Sequence, residues 1–171
     1  NYSANNKLAI NLLDFGCIRF FKSSFVKGVI DLYYSIMTKN EELAVHAYQS
    51  WGFEKINKDL INILNIWAKF LFSPLLKDKV MKMQETNSTA YGAEAASKVH
   101  KELKKIGGVK PPREFVFMDR AAIGLGSVFL HLGAELNWYK IFNELIEGFD
   151  EKKVEKNQNK LVKKTKLEKS F

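Results

Sequence analysis

Cysteine is nearly absent from this chain. Cys17 stands alone among 171 residues, which excludes an intramolecular disulfide and fits a reducing compartment. No basic, apolar and small-residue signal pattern opens the sequence. Uncharged apolar runs are also too short for a membrane span, which needs roughly 18 to 20 residues. The most apolar of them, Ala121 to Ala134, contains His131, and the run Leu60–Leu76 is interrupted by Lys69 and Pro74. Both read as buried core helices. No internal repeat is evident.

What is present describes a folded protein. Hydrophobic residues make up 46% and aromatics 13%, enough for one domain with a sizeable core and too many for a disordered chain. The formal charge of +8 is uneven, because residues 151–171 hold eight lysines against three glutamates. That segment has no arginine and hardly any aromatics, so it lacks the usual means of reading nucleic acid, and no nucleic-acid partner is expected.

Pattern and punctuation organise the chain. Residues 1–22 read as β structure and turn, with a polar turn at Ser3-Ala4-Asn5-Asn6-Lys7 between a short strand near Tyr2 and the strand Leu8–Leu13. From there the spacing is helical. Ser23 or Ser24 is a suitable cap for a helix carrying Val26, Ile30, Tyr33, Tyr34 and Met37. A second helix spans about Glu41 to Trp51, with Gly52 as its terminator. Asn57 caps a third, over Lys58 to Phe72, which presents Leu60, Ile61, Leu64, Trp67, Ala68 and Leu71 on one face and ends at Pro74. One or two polar amphipathic helices follow within 78–107. Pro111-Pro112 introduces the most apolar helix, Arg113–His131, and a last core helix begins at Asn137 or Trp138 and ends near Gly148. The lysine-rich segment 150–171 reads as a solvated helix or a frayed tail.

One short motif carries chemistry. The apolar run Leu8-Ala9-Ile10-Asn11-Leu12-Leu13 leads directly into Asp14-Phe15-Gly16, with Asn1 thirteen residues before Asp14. A strand running into Asp-Phe-Gly is the sequence form of the metal-binding turn of protein-kinase-like phosphotransferases. The Asp of that turn holds Mg²⁺ against the ATP phosphates, and an upstream Asn is the second ligand. Mg²⁺ is a hard ion that prefers carboxylate, amide oxygen and water, so these residue types suit it. The plainer alternative for Asp14 is a turn residue that caps the following segment.

The wider pattern resembles the AarF/UbiB family of atypical kinases. It consists of Asn1 and Asp14-Phe15-Gly16, Phe25-Val26-Lys27 opening a long helix, and Trp51-Gly52-Phe53. Further on come Pro111-Pro112-Arg113-Glu114, Met118-Asp119-Arg120-Ala121-Ala122-Ile123-Gly124 and Leu132-Gly133-Ala134-Glu135-Leu136-Asn137-Trp138. The resemblance covers residues 1 to about 149 and is weak across 54–108. It implies a mainly α fold, the helical C-lobe of a kinase-like domain over 1–149. A short N-terminal β-hairpin would carry the Asp-Phe-Gly turn, and the lysine-rich tail would follow. It further implies Mg²⁺ and ATP as cofactors and a link to ubiquinone metabolism. Asp14 and Asn1 would be the metal ligands, Phe15 would pack into the core, and Gly16 would permit a backbone conformation that a side chain hinders. Aminoglycoside-phosphotransferase-like enzymes share a similar lobe. Their metal turn commonly continues to an acidic residue, which Asp14-Phe15-Gly16-Cys17 does not.

Several parts of such an enzyme have no counterpart in the sequence: the glycine-rich loop, the strand lysine with its helix glutamate, and the catalytic-loop Asp. Phosphoryl transfer depends on all of them acting together. The expectation is therefore a C-terminal part of a longer protein or a truncated gene product, inert by itself, whose missing N-lobe is its partner. Its expected location is cytoplasmic, peripheral at the inner face of a membrane. A rival reading is a non-catalytic helical interaction or membrane-surface module, with the 151–171 tail contacting anionic lipid.

The remaining chemistry-bearing residues have plain explanations. Cys17 reads as a small buried hydrophobe. His46, His100 and His131 lie on separate helices, with Glu42 and Glu135 one turn from two of them and no third ligand nearby. Gly124-Leu125-Gly126-Ser127 lacks the third glycine and the preceding strand of a phosphate loop, and reads as small residues for close helix packing.

Overall fold

Asparagine starts three of the helices. The Asn40, Asn57 and Asn137 side chains accept hydrogen bonds from the backbone N–H groups of Leu43, Leu60 and Lys140 at 3.1, 2.8 and 3.0 Å. Each bond satisfies a donor that the first helical turn cannot pair internally. Asp150 does the same for Lys153 at 3.0 Å. In the computed structural model the described residues are 2–4, 7–9, 19–53, 56–83, 90–105 and 113–165.

The fold is mainly α. In chain order come β1 (Tyr2–Ala4), β2 (Lys7–Ala9), α1 (Ser23–Thr38), α2 (Glu41–Ser50), α3 (Lys58–Phe72) with a 3-10 turn at Ser73–Leu76, β3 (Met81–Lys82), α4 (Ala90–Lys105), α5 (Arg113–His131), β4 (Glu135–Leu136), α6 (Trp138–Ile146) and α7 (Glu151–Thr165). β1 and β2 form an antiparallel hairpin in which Tyr2 pairs with Ala9 and Ala4 with Lys7. β3 and β4 pair Met81 with Leu136 and Lys82 with Glu135. This second ladder joins segments far apart in sequence, and two-residue strands leave no period to read.

α1 packs chiefly on α2, and α3 packs on α4. Between them lies a core of Phe25, Leu32, Tyr33, Ala44, Ala47, Tyr48, Trp51, Phe53, Ala68 and Phe72. Its aromatic rings meet edge to face, as their quadrupoles favour. Trp51 and Phe115 are 4.5 Å apart at 82°, and Tyr33 and Phe142 are 4.8 Å apart at 68°. Buried polar groups are tied in. The Tyr33 hydroxyl donates to the Leu75 carbonyl at 3.2 Å and accepts from Asn143 Nδ2 at 2.8 Å, which binds α6 to α1. The Trp138 indole donates to the Met81 carbonyl at 2.8 Å and so fixes β3.

Several sequence expectations hold in detail. Gly52, at φ 88°, follows α2 as its terminator, and Gly148, at φ 68°, follows α6. Three others change. The residue before α1 is Lys22, which makes no side-chain capping bond, while Ser23 is buried in the first turn. The lysine-rich segment is a helix to Thr165, seated against α1. The third concerns α5, expected in the core. Its residues 120–125 are exposed around the whole circumference, with Ile123 at 64% and Leu125 at 59%. Hydrophobic content signals that a helix is to be covered, but not by what. Among the described residues nothing covers this stretch. By length and composition the run Lys58–Leu76 would suffice to cross a membrane. Its Leu60, Ile61, Ile63, Ala68 and Phe72 are buried in this fold.

Candidate functional site

The four residues that the sequence singles out, Asn1, Asp14, Phe15 and Gly16, lie outside the described residues, as does Cys17. The described backbone borders them on both sides. Tyr2, next to Asn1, is the cross-strand partner of Ala9, five residues before Asp14. Beyond the motif the chain is described again from Arg19.

Arg19 anchors this entry to α5. Its guanidinium lies 4.4 Å from the centroid of the Phe117 ring, and one of its terminal nitrogens is 3.7 Å from Glu114 Oε1. A planar guanidinium suits such a place, since it stacks on an aromatic face while its edge meets a carboxylate. Its Nε is buried without a hydrogen-bond partner. Phe21 then stacks on Phe25 at 5.4 Å, and the Phe21 carbonyl accepts from Gln158 of α7 at 2.8 Å. The segment that follows Asp14-Phe15-Gly16 is thus held by α1, α5 and α7 together.

A second polar constellation lies between α1 and α2. Asp31 is 5% exposed, although it is a carboxylate. One oxygen pairs with Lys27 a turn earlier on α1, and the other faces His46 Nδ1 of α2 at 3.6 Å without a hydrogen bond. Lys27 and Asp31 show the four-residue spacing that places side chains together on a helix, so that pair was open to sequence reading. The contribution of His46 from α2 was not.

Other histidines have local roles. His131 Nδ1 is 2.8 Å from the Ser127 carbonyl on its own helix, and His100 is exposed. Gly124 faces open space and Gly126 sits near Met83, so the small residues of α5 serve no close helix packing among the described residues. Burial raises the phenol pKa of both Tyr33 and Tyr48, opposed at Tyr33 by the Asn143 hydrogen bond.

Among the described residues no group of three or more His, Cys, Asp or Glu side chains forms a metal cage. The donor set that the sequence offers for Mg²⁺ remains the Asp14 carboxylate and the Asn1 amide oxygen. Their hard oxygen chemistry fits that ion. No protein-family model, curated protein or solved structure matches the chain.

Proposed function

We propose that this chain is the helical lobe of a protein-kinase-like phosphotransferase of the AarF/UbiB type, which contributes the Mg²⁺ ligands Asp14 and Asn1. The observation that carries the reading is the Asp14-Phe15-Gly16 turn, placed directly after an apolar strand-like run and thirteen residues beyond Asn1. The mainly helical architecture behind it agrees with such a lobe.

Each residue has a definite task in this reading. Asp14 supplies a carboxylate to the ion that neutralises the phosphate oxygens, and Asn1 supplies a neutral amide oxygen to the same task. Phe15 directs the turn by packing inward, and Gly16 frees the backbone beside it. The bound Mg·ATP would supply the phosphoryl group, and the protein contributes position and charge. The reaction served is phosphoryl transfer or ATP hydrolysis in the metabolism of quinone lipids. The N-lobe parts that close over the nucleotide are needed for turnover, so this chain alone binds Mg·ATP weakly and does not turn over.

The test is thermal stabilisation of the chain by millimolar Mg·ATP, with ATP plus chelator as the control. The expected result is a small Mg²⁺-dependent rise in Tm that disappears in Asp14→Asn. An equal rise in the variant would overturn the assignment.

A further inference from the structure

The six lysines of α7 point in one direction. At about 100° per residue, Lys152, Lys153, Lys156, Lys160, Lys163 and Lys164 fall within an arc of about 120°, and all six are exposed. The opposite side of the helix is occupied. Gln158 donates to the Phe21 carbonyl at 2.8 Å, and Val154 and Val162, its neighbours on that side, are half-buried. α7 is therefore held by one face while its lysine face is presented outward in a fixed orientation. Among the described residues none of these six lysines has an ion-pair partner. Sequence composition shows a basic segment; the structure shows a one-sided one.

We propose that this face is an electrostatic docking surface for an anionic lipid bilayer. A row of ammonium groups repeating every turn along a straight helix, with no groove between them, matches a flat and laterally continuous field of negative charge. Nucleic acid is disfavoured by the chemistry of the face. It carries no arginine to grip phosphates with two parallel bonds and no aromatic ring to stack on bases. Leu161, 54% exposed, lies at the border of the arc, about 60° past Lys164, where it can enter the headgroup layer beside the lysines. The proposal does not depend on the phosphotransferase reading, since it uses none of that site's residues.

The experiment is co-sedimentation of the whole chain with vesicles containing phosphatidylserine, alongside neutral phosphatidylcholine vesicles. Each lysine near such a surface is worth about a factor of five in partition. The triple substitution Lys156→Gln, Lys160→Gln, Lys163→Gln should then weaken binding about 100-fold. A matched triple with the same change in net charge, Lys58→Gln, Lys77→Gln, Lys79→Gln, should leave it within a few-fold. Circular dichroism of both triples confirms that the helices persist. The expected outcome is binding to anionic vesicles alone, abolished by high salt and by the α7 triple. Equal losses in the two triples would reduce the effect to net charge and overturn the proposal. So would equal binding to neutral vesicles, no binding to either kind, or displacement from the vesicles by an equal charge concentration of RNA.

Discussion

Gly28 of α1 and Trp51, just after α2, approach so closely that no side chain fits between them. A Cβ on Gly28 would stand 2.5 Å from Trp51 Nε1 and 2.7 Å from Ser50 Oγ. The same indole N–H donates to the Phe25 carbonyl at 3.0 Å, so the ring cannot withdraw without breaking that bond. The helix pair at the centre of the fold is set by the absence of one methyl group.

Gly28→Ala should therefore destabilise the fold, although alanine is the better helix former. The expected cost is about 1–3 kcal/mol from overpacking, set against a gain of up to about 1 kcal/mol in helix propensity. Urea unfolding of the two proteins measures it. A variant as stable as the parent would mean that α1 and α2 are not so tightly apposed.

Core and surface positions on two helices should respond differently to the same substitution. Leu32 is 3% exposed in α1, and Leu125 is 59% exposed in α5. Leu32→Ala should cost about 2–5 kcal/mol, and Leu125→Ala less than about 0.5 kcal/mol. Equal costs would show that α5 is covered in solution.

Tyr48 should make stability fall in alkali. It is 2% exposed, its hydroxyl donates to Asn65 Oδ1 at 2.8 Å, and burial raises its pKa. The folded state thus holds the phenol proton more tightly than the unfolded chain does. The stability linked to that proton is complete below the unfolded pKa of about 10. It declines as pH rises above that value toward the folded one. Tyr48→Phe should cost about 1 kcal/mol at neutral pH and should narrow its gap from the parent above pH of about 10. Thermal melts of both proteins from neutral to alkaline pH provide the check. A gap that stays constant would contradict the burial of this hydroxyl.

The sequence revealed the helices where local chemistry is decisive. Asn57 and Asn137 as caps, Gly52 as a terminator and the apolar spacing of α3 are all local signals, and they fall where the structure has them. It failed where the cause is distant. The β3–β4 ladder depends on residues more than fifty positions apart. Asp31 is recognisable as Lys27's partner, but meets His46 only because α1 and α2 pack. The exposure of α5 inverts an expectation drawn from hydrophobicity alone. At the candidate site the order is reversed. Its chemistry was legible from Asn1 and Asp14-Phe15-Gly16, and its surroundings, with Arg19 held between Glu114 and Phe117, came from the fold.

The most direct test of the phosphotransferase reading is to locate the ion. Mn²⁺ replaces Mg²⁺ at oxygen sites and broadens the NMR signals of nearby nuclei. Titrated into the chain with ATP, it should broaden the signals of Asn1 and of Asp14 through Gly16 first, and Asp14→Asn should remove the effect. Broadening that begins elsewhere, or that persists unchanged in Asp14→Asn, would contradict a metal site at this turn.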